Sequence, residues 1–219
     1  MTSDNREARF LAKITTGTTH EIRNVLAIIK ESAGLMEDMV NAFEKGRPLK
    51  ADSIRRSIAR IGTQVERGAN LMSTLNRFGH SMDYEQDQID LHDEASQVAL
   101  LSARLAGQKG HKVEARQGKG AAEFSVNRLH LQMALFNGVE CCVEQLPQPG
   151  TVVMHSGLNG GIPTTDFAGE IQGGEELPDP TEAAGWNGFV EVLEMIGATV
   201  EVRDVPCYFR VRFPIAVES

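Results

Sequence analysis

The strongest constraint on this chain is a seam of residues stepping by three and four: Leu11, Thr15, Thr18, Ile22, Val25, Ile29, Ser32, Met36, Met39 and Phe43. A heptad-like period sustained that long predicts one long helix with a single face buried on another helix. Lys45-Gly46-Arg47-Pro48 then interrupts it. Glycine ends a helix by taking up left-handed backbone, and proline blocks continuation while suiting a restart. A second seam follows at Ile54, Ile58, Ile61, Val65, Gly68, Met72 and Leu75. Two long helices across a short turn fold as an antiparallel hairpin. One hairpin alone buries both narrow stripes poorly, and pairing two hairpins about a twofold axis into a four-helix bundle buries them well. A monomeric hairpin packed on the rest of the chain is the alternative.

After a polar, acidic stretch from His80 to Gln88 the texture changes, which places a boundary between a hairpin over 1–84 and a second domain over 85–219. The chain's 219 residues suit two modest domains. Asp90–Gly107 and Asn127–Leu146 read as helices, the latter with Leu131, Leu135, Val139, Cys142 and Leu146 on one stripe. His111–Ala115, Ala122–Val126 and Thr151–His155 read as short strands, and Gly157–Gly174 as glycine-rich and irregular. Trp186–Ile196 reads as a helix. Thr199–Asp204 and Tyr208–Pro214 read as a closing hairpin turning near Val205-Pro206. Helices mixed with antiparallel strands predict a two-layer α/β sandwich, so the whole chain is of the α+β class.

Composition excludes several functions. The net charge of -8 argues against broad nucleic-acid binding, which needs a basic face. No apolar run approaches the roughly 20 residues that span a bilayer, and Met1–Arg9 lacks the order of a signal peptide. A cytoplasmic protein without membrane partners is expected. Cys141 and Cys142 are adjacent, Cys207 is remote, and no spacing suits a zinc site, so inert reduced thiols are expected.

Chemistry concentrates in Thr18-Thr19-His20-Glu21-Ile22-Arg23-Asn24. His20 falls midway between the seam residues Thr18 and Ile22, on the outward side, where an imidazole is a nucleophile toward phosphorus. Glu21 lies next round the helix, and a carboxylate beside the ring holds one nitrogen protonated and frees the other. Asn24, one turn on, reaches the same external point.

His20-Glu21-Ile22-Arg23-Asn24 resembles the H-box of sensor histidine kinases, which sits in the first helix of their dimerisation and histidine-phosphotransfer hairpin. The similarity extends through Asp90–Gly110, Arg128-Leu129-His130-Leu131-Gln132 before the asparagine box, and Gly185-Trp186-Asn187-Gly188-Phe189-Val190 at the last glycine box. It also covers the closing segment from Ile196 to Val202. The departures lie in the ATP-binding domain. Glu140 stands at the place of the magnesium-holding asparagine, with Asn137 out of register. Asp166-Phe167-Ala168-Gly169 is the nearest counterpart of the adenine-reading loop, with one glycine. The glycine box keeps only Gly185 and Gly188, and Trp186 crowds the approach of phosphates to the backbone. Val25 replaces the proline that follows the asparagine in many relatives, and continues the helix.

The resemblance implies a degenerate ATPase-like second domain, with Asn137, Glu140, Asp166, Gly169, Gly185 and Gly188 as a vestigial nucleotide site. It implies a homodimeric histidine phosphotransferase of a two-component phosphorelay. His20 would exchange a phosphoryl group with an aspartate of a response-regulator receiver domain. Glu21 and Asn24 would orient ring and partner, and Arg23 would steady phosphoryl charge. Magnesium would come with the receiver, no metal would be bound by the chain itself, and ATP would not be used. The rival readings are an ATP-dependent histidine kinase core, and a response-regulator phosphatase or scaffold.

Overall fold

The computed structural model describes residues 3–147, 149–171, 179–203 and 207–214. They form two compact units, one of residues 12–77 and one of residues 1–11 with 78–219.

The first unit is a helical hairpin. Helix α1 (Ser3–Glu44) and helix α2 (Ala51–Gly79) are joined by a short turn. Gly46 has φ +82°, its N–H donates to Phe43 O at 2.9 Å, and Arg47 N–H donates to Ala42 O at 3.0 Å. This paired closure satisfies carbonyls of the last turn, and Pro48 prevents the helix from resuming.

The inward stripe of α1 runs through Ile14, Thr18, Val25 and Ser32, all buried. It differs from the sequence expectation at the start: Thr15 is exposed and Leu11 half-buried, while Phe10 and Ile14 are buried. The seam therefore enters one residue earlier, where the larger apolar side chains stand. On α2 the covered residues include Ile54, Ser57, Ile61, Gln64, Gly68, Leu71, Thr74 and Leu75. A Cβ at Gly68 would stand 3.2 Å from Val25 Cγ1, so glycine permits close helix approach there. Ile58, Val65 and Met72, expected on the buried seam, are 56%, 54% and 55% exposed. Seven-residue spacing lines them up as a second, outward apolar stripe, because α1 covers only one side of α2.

The second unit is an α/β sandwich. Strand β1 (Asp87–Asp90) pairs antiparallel with β3 (Glu123–Val126). Strands β2 (Lys112–Gln117), β4 (Gly150–Asn159), β5 (Ile162–Ile171), β6 (Thr199–Val202) and β7 (Cys207–Arg212) form a five-stranded sheet in the order β2-β4-β5-β7-β6. β2 lies parallel to β4 and the other pairings are antiparallel. Helices α3 (Leu91–Gln108), α4 (Arg128–Gln145) and α5 (Trp186–Met195) complete the unit. Asp90 caps α3 by accepting from His92 N–H (2.8 Å) and Asp93 N–H (3.0 Å), and Asn127 caps α4 by accepting from His130 N–H (2.9 Å).

Gly157–Gly174, expected to be irregular, is instead strand to Asn159, a turn, and β5 as far as Ile171; residues 172–174 lie outside the described residues. Gly160 (φ +62°) and Gly161 (φ +83°) make the turn between two paired strands. The expected turn at Val205-Pro206 also lies outside the described residues.

The core is aromatic. Phe167 stacks on Phe209 with ring centroids 4.7 Å apart, and Phe189 closes on Phe209 at 5.3 Å. The first turns of α1 join this unit. Phe10 meets Phe78 edge-on at 5.6 Å and Phe136 of α4 at 5.4 Å. Arg6 pairs with Glu191 of α5, and His130 Nε2 lies 2.8 Å from Glu7 Oε1.

Candidate functional site

The hairpin places His20, Glu21, Arg23 and Asn24 in consecutive turns of α1. His20 and Glu21 are half-buried, while Arg23 and Asn24 are exposed. His20 is therefore accessible but less open than its outward place between Thr18 and Ile22 implied. Glu21 turns toward α2. Its Oε1 accepts from Asn24 Nδ2 at 3.2 Å, and its Oε2 accepts from Arg67 Nη2 at 2.7 Å. One N–H of the Asn24 amide is thus committed to Glu21, and its second N–H and its carbonyl oxygen are left to orient a partner. Arg67 was not expected from sequence: it stands on the other helix, and no local pattern links it to Glu21.

The arrangement brings a nucleophilic ring, a pinned carboxylate, an exposed amide and an exposed guanidinium to one stretch of helix surface. Such a set positions an incoming tetrahedral anion and shields its charge.

In the α/β unit, Asn137 and Glu140 lie half-buried on α4, three residues apart and so on one face. Glu144 continues that face, and its Oε1 accepts from Ala184 N–H at 3.2 Å. Gly185, which precedes α5, packs beside Cys141 of α4: a Cβ there would lie 3.7 Å from the thiol sulfur. Gly188 sits in the first turn of α5 with open space around it. These four residues therefore gather on α4 and the start of α5. Asp166 does not join them. Phe167 packs against α4, where a Cβ at Gly138 would meet its ring at 2.6 Å. Neighbouring strand residues point to opposite faces, so Asp166 lies on the far side of the sheet. There it pairs with Arg210 of β7 through both carboxylate oxygens. Gly169 lies on β5 opposite Val152 of β4. Trp186 packs edge-on against Phe209 (5.2 Å) and Phe189 (5.4 Å).

Burial, with Glu140 and Glu144 adding to it, pushes the Cys141 thiol up to about 12, which makes it an inert neighbour of this face. Cys142 is likewise buried. Among the described residues no cluster of side chains is arranged to hold a metal ion, and no helix is long and apolar enough to cross a membrane.

No protein-family model matches the chain, and no curated protein matches it. Among solved structures, it is similar to one described as a bacterial phosphotransferase, 10% identical, with a TM-score of 0.50 and 98% of each chain covered. It is also similar to the Acinetobacter baumannii histidine kinase AdeS, 12% identical with a TM-score of 0.48, covering 90% of this chain and 98% of that one. The catalytic domain of the histidine kinase ThkA is 13% identical with a TM-score of 0.48, covering 60% of this chain and 97% of that domain. The fold is therefore similar to that of the solved bacterial phosphotransferase over 98% of the chain.

Proposed function

We propose that the protein is a histidine phosphotransferase of a two-component phosphorelay, with His20 as phosphoacceptor. The observation that carries this reading is the site on α1: a half-buried, accessible ring beside a carboxylate held from two sides, with exposed Arg23 and Asn24 next to it. The fold shared with a bacterial phosphotransferase supports it.

A receiver domain docks beside His20 and brings its aspartyl phosphate with bound magnesium. The lone pair of the unprotonated ring nitrogen forms the N–P bond as the P–O bond to the aspartate breaks in line. The electron pair stays on the departing carboxylate, and the reverse reaction returns the group. Little covalent work falls to the protein, so positioning and charge compensation dominate. Asn24 orients the incoming acyl phosphate through its second amide N–H, and Arg23 meets the phosphoryl oxygens.

We further propose that the chain does not use ATP. The residues present fit a nucleotide poorly: Asp166 is turned to the far face and neutralised by Arg210. The ring of Phe167 occupies the space beside α4 at Gly138, and Trp186 is packed into the same aromatic group. The outward stripe of Ile58, Val65 and Met72 supports a homodimer, in which a second hairpin covers it.

Incubation with a phosphorylated receiver should place acid-labile phosphate on the protein, and His20→Ala should abolish it. Labelled ATP should place none. Labelling by ATP at His20 would replace this reading with a kinase, and no labelling from either donor would leave a scaffold.

A further inference from the structure

Two ion pairs cross the hairpin. Arg60 Nη2 donates to Glu31 Oε2 at 3.0 Å, and Arg67 Nη2 donates to Glu21 Oε2 at 2.7 Å. The two arginines stand one heptad apart on α2, hence on the same face, and their side chains are 48% and 50% exposed. As structural elements they are near equivalents, and pairs this exposed contribute little to stability. Their carboxylates differ. Glu31 is 60% exposed, whereas Glu21 is 17% exposed, follows His20 directly, and has its second oxygen bound by Asn24.

We infer that Arg67 is a positioning residue for the phosphoacceptor. It holds Glu21 in one orientation and offsets its charge, so that a phosphoryl group arriving at His20 does not meet an uncompensated carboxylate. The inference rests on the phosphotransfer reading of His20. Arg67 makes and breaks no covalent bond. The offset matters because two negative charges at adjacent helix positions lie within the screening length of water and repel, and Glu21 is the more enclosed partner of its ion pair. One guanidinium N–H is spent on Glu21, so the positive charge, which a lysine also supplies, is the main part of the effect.

Phosphoramidate tests this without a partner protein. This small donor phosphorylates histidine as its P–N bond breaks and ammonia leaves. At saturating donor, Arg67→Ala should slow labelling of His20 about tenfold, Arg67→Lys should recover most of the loss, and Arg60→Ala should stay within twofold of the parent. In a Glu21→Gln background, Arg67→Ala should change the rate less than twofold, since no carboxylate charge is left to offset. Melting curves report whether each variant folds, and Arg67→Gln replaces the alanine variant if that one does not. Equal rates for Arg67→Ala and parent overturn the inference, as does equal slowing by Arg60→Ala and Arg67→Ala. Absence of labelling in the parent, or labelling that survives His20→Ala, overturns the phosphotransfer reading itself.

Discussion

The two units solve the problem of apolar burial differently. In the α/β unit, Phe167, Phe189 and Phe209 are wholly enclosed between α4, α5 and the sheet. In the hairpin, Ile58, Val65 and Met72 line up on α2 more than half exposed, and Leu26, Val40 and Phe43 of α1 are exposed as well. A sheet backed by helices closes its own core, whereas two helices offer each other only one side. The first unit is therefore the one that the proposed homodimer would stabilise, and the second unit the one whose aromatic core is already closed.

That contrast is easiest to break at its extremes. Phe167→Ala removes the centre of the aromatic core and should cost about 3–5 kcal/mol in urea unfolding, independent of protein concentration. Val65→Lys with Met72→Lys should instead leave the α/β unit intact. It should convert dimer to monomer in sedimentation at micromolar protein, a loss on the order of 2 kcal/mol or more. If the parent already sediments as a monomer, the outward stripe has some other role. Gly46→Ala should cost about 1 kcal/mol by denaturant unfolding, because φ +82° strains any residue with a Cβ.

The smallest effect separates the units by pH. His111, immediately before β2, is buried, and burial together with Lys109 holds its imidazole below the ordinary value of 6.5. Below that value the unfolded chain binds the proton and the folded one resists it. The contribution of His111 is therefore complete at neutral pH and is lost as pH falls from 6.5 toward the lowered folded value. His111→Gln should flatten the dependence of unfolding free energy on pH between 7.5 and 5.5.

Much of this architecture was legible from residue order. The hairpin, its turn at Gly46, the helices α3 and α4, and the His20-Glu21-Ile22-Arg23-Asn24 stretch are local patterns, carried by residues within a few turns of one another. β5 was not legible, because Gly157, Gly160, Gly161 and Gly169 mask a strand whose partners lie on β4 and β7. Nor was the fate of Asp166: alternation along β5 sends it away from α4, and the arginine that receives it stands 44 residues later.

What sequence determined by itself is the set of helices and the place of His20 on α1, since helical period and turn chemistry act over short range. What only tertiary structure decided is which carboxylate faces which cation. Glu21 meets Arg67 across 46 residues because the turn at Gly46 sets the register of α1 against α2. Such long-range pairings follow from packing, which no local pattern encodes.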